Sequence, residues 1–190
     1  ITVLDRFWLM YGDKPVIVAE WSGHIRHDLL SWKMAQIAEF YNRALLVVES
    51  NTYEKDQDTD GDHTEYILNQ IGEVYSNMYK REASEQSIKE GRPTMWGFQT
   101  NRLTKPLIID NLVKYIEEQL YIERDNDTID EYLCYEKKKN GAFGAIDGKH
   151  DDKLMTRAIA LHISNNIPIP KIIENKPKAA KRKIVSAATL

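Results

Sequence analysis

Apolar residues follow strand-like spacing at the start of the chain and helical spacing soon afterwards. The opening ITVLDRFWLM is apolar and β-branched. The turn residues Gly12 to Pro15 separate it from VIVAEW, which predicts an antiparallel hairpin of residues 1–8 and 16–21. From Asp28 to Asn42 apolar residues recur at intervals of three and four, which predicts an amphipathic helix. The run ALLVVES (44–50) is continuously apolar, as is typical of an interior strand covered on both faces.

The remaining pattern predicts more helices with short strands between them. Asn140 and Gly141 form a strong hairpin-turn signal. Together these elements predict an α/β protein in which helices flank one mixed sheet. The predicted elements are a helix from Asp62 to Tyr75, a strand from Met95 to Thr100, helices from Thr104 to Leu120 and Thr128 to Tyr132, and a last helix from His150 to Ser164.

The composition agrees with one globular domain and excludes several classes of protein. Apolar residues make up 42% and charged residues 29% of 190 residues, so intrinsic disorder does not describe the whole chain. No apolar stretch is long enough to predict a membrane helix. The single cysteine, Cys134, excludes an internal disulfide and fits a reducing compartment. The sequence has no GxxxxGK[ST] and no GxSxG motif, so it predicts neither a P-loop ATPase nor a serine hydrolase in these residues.

Charge is distributed unevenly between the body of the chain and its end. Six basic residues and one acid lie between Lys171 and Lys183, whereas the rest of the chain carries 20 basic and 28 acidic residues. We therefore divide the chain into a domain at 1–164 and a basic, Pro- and Lys-rich tail at 165–190. So acidic a body predicts that any contact with nucleic acid is made through local basic patches, or that the acids hold metal ions.

Carboxylates at one strand end and one helix start form the first candidate site. Glu49 ends the predicted interior strand, and Asp151 and Asp152 open the last helix. Functional groups of α/β sheets lie beyond the carboxyl ends of strands, and Mg²⁺ prefers carboxylate oxygens and water. The same residues also suit plainer roles, since acids cap helices and occupy exposed strand ends.

Two other charged segments are candidates for binding. The series Asp56, Asp58, Asp60 and Gly61 copies the first half of a calcium loop, but Ile67 stands where a bidentate Glu is required, which favours an acidic surface loop. Lys137, Lys138 and Lys139 lie on the predicted hairpin that leads to Asp151. They are candidates for contacts with a DNA backbone, and equally for an edge strand that charge protects from pairing.

Five segments in this order carry a resemblance to a known family: VIVAEWSGH, ALLVVESN, WGFQTNR, LTKPLIIDNLV and NGAFGAIDGKHDDKLMTRAIAL. Over about residues 1–164 the chain resembles the C-terminal nuclease domain of the large terminase subunit of tailed bacteriophages and prophages. The most specific parts are the acid in VVESN, the TKPLIIDNL helix and the GKHDD helix start.

The resemblance implies an RNase H-like fold and an endonuclease that cuts concatemeric viral DNA with two divalent ions, Mg²⁺ or Mn²⁺. By position it implies that Glu49, Asp151 and Asp152 are the catalytic, metal-binding acids. The family's first metal-binding Asp lies on an opening strand before the segment that matches Ile1. We expect that strand to be missing from this chain, which would weaken its activity. Asp5 lies on the wrong strand of the hairpin to replace it.

The resemblance also implies partners and a location. These are double-stranded DNA, an upstream packaging ATPase domain, the portal, the small terminase subunit and the cytoplasm of the bacterial host, with no membrane. Two alternatives stay open: another RNase H-like nuclease of the resolvase type, and a non-catalytic module that docks on portal or capsid protein through its C-terminal lysine tail.

Overall fold

The chain is described by a computed structural model that covers residues 1–50, 63–81, 89, 95–139 and 141–171. The loop with Asp56, Asp58 and Asp60, the turn residue Asn140 and the basic tail beyond residue 171 lie outside the described residues. The predictions made for them stay predictions.

Short strands pair as the periodicity predicts at both ends of the chain. β1 and β2 form the predicted antiparallel hairpin, with Thr2 opposite Glu20 and a bulge between Val3 and Leu4. Between them a 3₁₀ helix at Phe7–Tyr11 replaces the predicted continuation of the first strand. The strands are β1 (Thr2–Asp5), β2 (Val16–Glu20), β3 (Lys80–Arg81), β4 (Met95–Trp96), β5 (Tyr135–Lys137) and β6 (Phe143–Ala145).

The helices lie within one to three residues of their predicted bounds. α1 and α2 pack against each other, while α3 and α4 both pack against α5. None of the helices in the described ranges combines the length and the apolar character that a membrane-spanning helix requires. The helices are α1 (His27–Phe40), α2 (His63–Val74), α3 (Thr104–Glu117), α4 (Asn126–Leu133) and α5 (Asp152–Asn166).

The expectation of one continuous mixed sheet needs correction. Among the described residues the strands form three separate antiparallel pairs: β1 with β2, β3 with β4, and β5 with β6. Isolated parallel bridges add Val16 to Ile122, Leu46 to Met78 and Glu49 to Phe98. Neighbouring strands must lie about 4.8 Å apart to share hydrogen bonds. A cavity of about 750 Å³ lies between β1 and residues 44–49, so no ladder joins them.

Two hydrophobic clusters flank this cavity. The larger one packs α3 and α5 around Ile108, Ala158 and Leu161, none of which is accessible to solvent. The smaller one packs α1 against α2 around the buried Ile71. Both α1 and α5 contribute apolar side chains to the cavity wall. The fold is therefore a mixed α/β arrangement with a recess between two packed layers.

Candidate active site

The predicted interior strand at 44–50, which carries Glu49, is instead an extended segment with isolated bridges at Leu46 and Glu49. Its backbone forms hydrogen bonds with residues 77, 79 and 98. The Leu46 N–H donates to the Asn77 carbonyl at 2.9 Å, and the Phe98 N–H donates to the Val48 carbonyl at 2.7 Å. Gly97 makes this approach possible, because its φ is +77° and a Cβ there would lie 2.6 Å from the Val48 oxygen. This geometry places Glu49 near the carboxyl end of the segment, as the sequence predicts.

The start of α5 is capped by a residue of another helix. Glu131 of α4 accepts a hydrogen bond from the Leu154 N–H at 2.8 Å, whereas Asp151, at the N-cap position, makes no side-chain capping bond. A capping role for the Asp151 side chain is therefore excluded. Its Oδ2 lies instead 3.7 Å from the Nζ of Lys105, in the first turn of α3.

The structure brings Glu49 and Asp152 to one cavity. Both line the recess between β1 and residues 44–49, and Glu20 at the end of β2 lines it too. The Asp151 side chain lies near α3 and the ring of Tyr135 instead. Burial and then the Asp151 carboxylate raise the pKa of the Tyr135 phenol. Asp5 accepts a hydrogen bond from the Phe7 N–H at 2.8 Å, and it takes no part in lining the cavity.

A buried charged cluster beside the cavity was missed by sequence reasoning. The Arg157 side chain, fully buried on α5, donates to Glu123 at 3.0 Å and to the Thr2 hydroxyl at 2.9 Å, and it pairs with Glu20. Lys153, one turn earlier, contacts Glu20 as well. One signal was present: Lys153, Arg157 and the buried Leu161 recur at intervals of four, on one stripe of the helix.

Contacts within the cluster favour the charged forms of Asp125 and Lys153. Burial tends to raise the pKa of Asp125, but hydrogen bonds from Thr128 and Lys153 outweigh it and lower that pKa to about 2. Burial acts on Lys153 in the opposite sense, and its contacts with Asp127, Glu20 and Asp125 outweigh it, so its pKa is raised. The cluster therefore joins β2, the loop before α4 and the first turn of α5 by ionised side chains.

The three hairpin lysines lie on β5 and the turn after it. Lys137 is exposed and its Nζ lies 5.6 Å from the centre of the Phe143 ring. Lys138 is 3.6 Å from Asp147, and Lys139 is exposed. These positions are compatible with a DNA contact and equally with a charged strand edge, so both interpretations stay open.

The described residues contain no group of three or more His, Cys, Asp or Glu side chains placed to hold a metal ion. Three carboxylate residues, Glu20, Glu49 and Asp152, line the same cavity, and Glu20 is paired with Lys153 and Arg157. Mg²⁺ usually keeps several waters and is bound through one or two carboxylates. Glu49 and Asp152 therefore supply the type of donor atom that a hydrated divalent ion takes.

Among solved structures, two similar ones are crystal structures of the large terminase nuclease from thermophilic phage G20c, one with bound cobalt and one with bound magnesium. The chain has a structural match to a phage terminase nuclease. Each match is 20% identical with a TM-score of 0.49. Each covers 77% of this chain, with 68% of the cobalt-bound chain and 67% of the magnesium-bound chain.

No family model matches the chain, and no curated protein matches it. At this identity and TM-score the likeness to the phage nuclease decides nothing about activity. The functional argument therefore rests on the residues of this chain.

Proposed function

We propose that this chain is the endonuclease domain of a viral DNA-packaging terminase and that it cleaves DNA with divalent metal ions. One observation carries the proposal: Glu49 and Asp152, far apart in sequence, line the same cavity. The motifs VVESN and GKHDD, on which the family resemblance rests, contain these two acids. The proposal extends to the family's setting in the host cytoplasm, with an upstream ATPase domain, portal and small terminase subunit as partners.

Glu49 and Asp152 would hold the metal, Mg²⁺ or Mn²⁺, and Asp151 would join them as the next carboxylate along the chain. When bound, a pair of such ions supplies acidified water and stabilises the leaving oxygen of a phosphodiester. The protein's own part is to hold these carboxylates beside the cavity. The parallel bridge at Glu49 and the Glu131 cap at the start of α5 perform that task.

Lys137, Lys138 and Lys139 are proposed to contact the DNA backbone. The hairpin that carries them leads into the segment 146–150 and then to Asp151, so the cations shortly precede the acids along the chain. Phosphate contacts of this kind fix the position of a duplex without reading its sequence. The acidic body of the protein makes such a local patch necessary, since the net charge alone repels DNA.

Plasmid nicking with Mn²⁺ tests the proposal, using protein expressed from its complete reading frame. We expect E49A and D152N to lose activity by more than about 100-fold, because even outer-shell partners of metal ligands are worth about 10- to 100-fold. D110N is the matched control, because Asp110 is an exposed acid on α3. Circular dichroism must show that all three variants are folded.

Two results would contradict the proposal. Equal nicking by wild type, E49A and D152N would show that these carboxylates do not bind the catalytic ions. A folded wild-type protein that cleaves no DNA with Mn²⁺ or Mg²⁺ would favour the non-catalytic docking module instead.

A further inference from the structure

An ion pair with Lys105 distinguishes Asp151 from the other two candidate metal ligands, Glu49 and Asp152. The Lys105 Nζ lies 3.7 Å from Asp151 Oδ2, and the two side chains are 30% and 29% exposed. Asp152, the next residue, lines the cavity with Glu49, whereas Asp151 is directed toward α3. Because Glu131 already caps α5, the Asp151 carboxylate has no helix-capping bond to lose if it moves.

Rigid elements hold Lys105 in place. It lies in the first turn of α3, and α3 packs along α5 through buried residues that include Ile108 and Leu112. Asn101 accepts hydrogen bonds from the N–H groups of Leu103 and Thr104, at 2.8 and 2.9 Å, and so fixes the start of the helix. The ammonium is therefore presented to Asp151 from a fixed backbone.

We propose that Lys105 is a positioning residue that controls Asp151. Its ammonium holds the Asp151 carboxylate away from the cavity until a divalent cation competes for it, and the released ammonium then contacts a DNA phosphate. This inference rests on the proposed nuclease function, and it deepens that function by naming what regulates the third carboxylate. It also accounts for the position of Asp151 outside the lining of the cavity, to which Glu49 and Asp152 belong.

Aromatic rings connect the Lys105 ammonium to the hairpin lysines. Its Nζ lies 5.9 Å from the centre of the Tyr135 ring, which stacks on Phe143 at 6.5 Å with an interplanar angle of 3°. The Lys137 Nζ lies over the Phe143 ring, 5.6 Å from its centre. Two ammonium groups and two rings thus form a row that starts at Asp151. A released Lys105 would extend the proposed phosphate-binding lysines toward the acids.

Competition between two cations for one carboxylate predicts a tighter metal site when Lys105 loses its charge. We expect K105M to bind Mn²⁺ about two- to fivefold more tightly than wild type, as removal of a partly exposed ion pair permits. K105R should bind like wild type because it keeps the charge. K114M is the control on the same helix, because Lys114 is exposed and nine residues, or about two and a half turns, further on.

Mn²⁺ binding is measured by electron paramagnetic resonance of the free ion at low ionic strength, without DNA. The double variant K105M/D151N should lose the gain, since the carboxylate in question is then absent. DNA binding is measured separately with Ca²⁺, and K105M should weaken it while it strengthens Mn²⁺ binding. A merely structural role for Lys105 would not move the two affinities in opposite directions. K105Q repeats both measurements in case K105M does not fold.

The outcomes separate this inference from the proposed function. If wild type binds Mn²⁺ and D152N does not, but K105M and K105Q bind it no more tightly than wild type, the role of Lys105 is refuted and the nuclease proposal stands. If neither E49A nor D152N changes Mn²⁺ binding, both proposals fail. A gain in K105M that persists in K105M/D151N also refutes the inference, because the gain then does not pass through Asp151.

Discussion

Replacing Arg157 tests whether the buried charged cluster stabilises the layer on which the candidate site stands. Arg157→Met keeps most of the side-chain volume and removes the guanidinium. That group is fully buried and contacts Glu123, whose own side chain is only 8% exposed. Glu20 keeps Lys153 as a partner at 2.9 Å, so the carboxylate left without its cation is that of Glu123.

The expected loss follows from this arrangement. Removing one partner of a buried pair costs about 3–5 kcal/mol, because the remaining charge stays buried without compensation. Adding Glu123→Gln to Arg157→Met removes that charge and should recover a substantial part of the loss. Arg26 offers a control, because its pair with Asp28 is 80% and 35% exposed, and Arg26→Ala should change stability by less than about 1 kcal/mol.

Urea unfolding, followed by tryptophan fluorescence and circular dichroism, gives the free energy of unfolding for each variant. We expect the order wild type, then Arg157→Met/Glu123→Gln, then Arg157→Met. If Arg157→Met loses no more than Arg26→Ala, the guanidinium does not compensate the buried acids, and the reasoning is wrong. A double variant less stable than Arg157→Met would likewise contradict it.

Three further perturbations have definite expected results. D125N should be less stable than wild type above about pH 4, and the difference should disappear toward pH 2, because the folded state lowers the Asp125 pKa to about 2 from an ordinary 3.8 and so favours the ionised form. Urea unfolding at several pH values measures this difference in stability, and a difference that does not depend on pH would contradict the prediction. G97A should lower the free energy of unfolding by more than about 1 kcal/mol, because alanine at φ +77° is strained and its Cβ would meet the Val48 carbonyl at 2.6 Å. Thermal unfolding tests this, with G72A as the control because the space around Gly72 is open. Changing lysines 137–139 to glutamine should lower the salt dependence of DNA binding by up to about three units of slope, and an unchanged slope would remove these lysines from the interface.

Much of the secondary structure could be predicted, because it depends on local periodicity. The helix at Thr104–Glu117 and the antiparallel pairing of residues 2–5 with 16–20 both match the sequence pattern. The strand Lys80–Arg81 could not be predicted, because it is two polar residues long. It pairs with β4, where Lys80 lies 4.4 Å over the Trp96 ring, a contact that no local pattern encodes. Likewise, the continuity of a sheet depends on distances between segments that are remote in sequence.

The candidate site, too, could be predicted in part from local sequence patterns and depends in part on packing between distant segments. General rules for strand ends and helix starts predicted that Glu49, Asp151 and Asp152 would converge on one pocket, and of these Glu49 and Asp152 line one cavity. Those rules treat Asp151 and Asp152 alike, whereas the structure directs Asp151 to Lys105. That difference comes from the packing of α3 on α5, which places a cation beside one acid and not the other. Whether all three acids bind metal stays a prediction.

The adjacency of Asp152 and Lys153 has a consequence for protein engineering. One backbone turn carries both a cavity acid and a cation of the buried cluster, so we expect a substitution that repacks the cluster to shift the acid as well. Attempts to raise thermal tolerance through residues 153–157 would therefore trade against any activity at the cavity. Exposed apolar positions offer a safer choice. Phe40 at the end of α1 is 81% exposed, and a polar residue there can improve solubility without disturbing that turn.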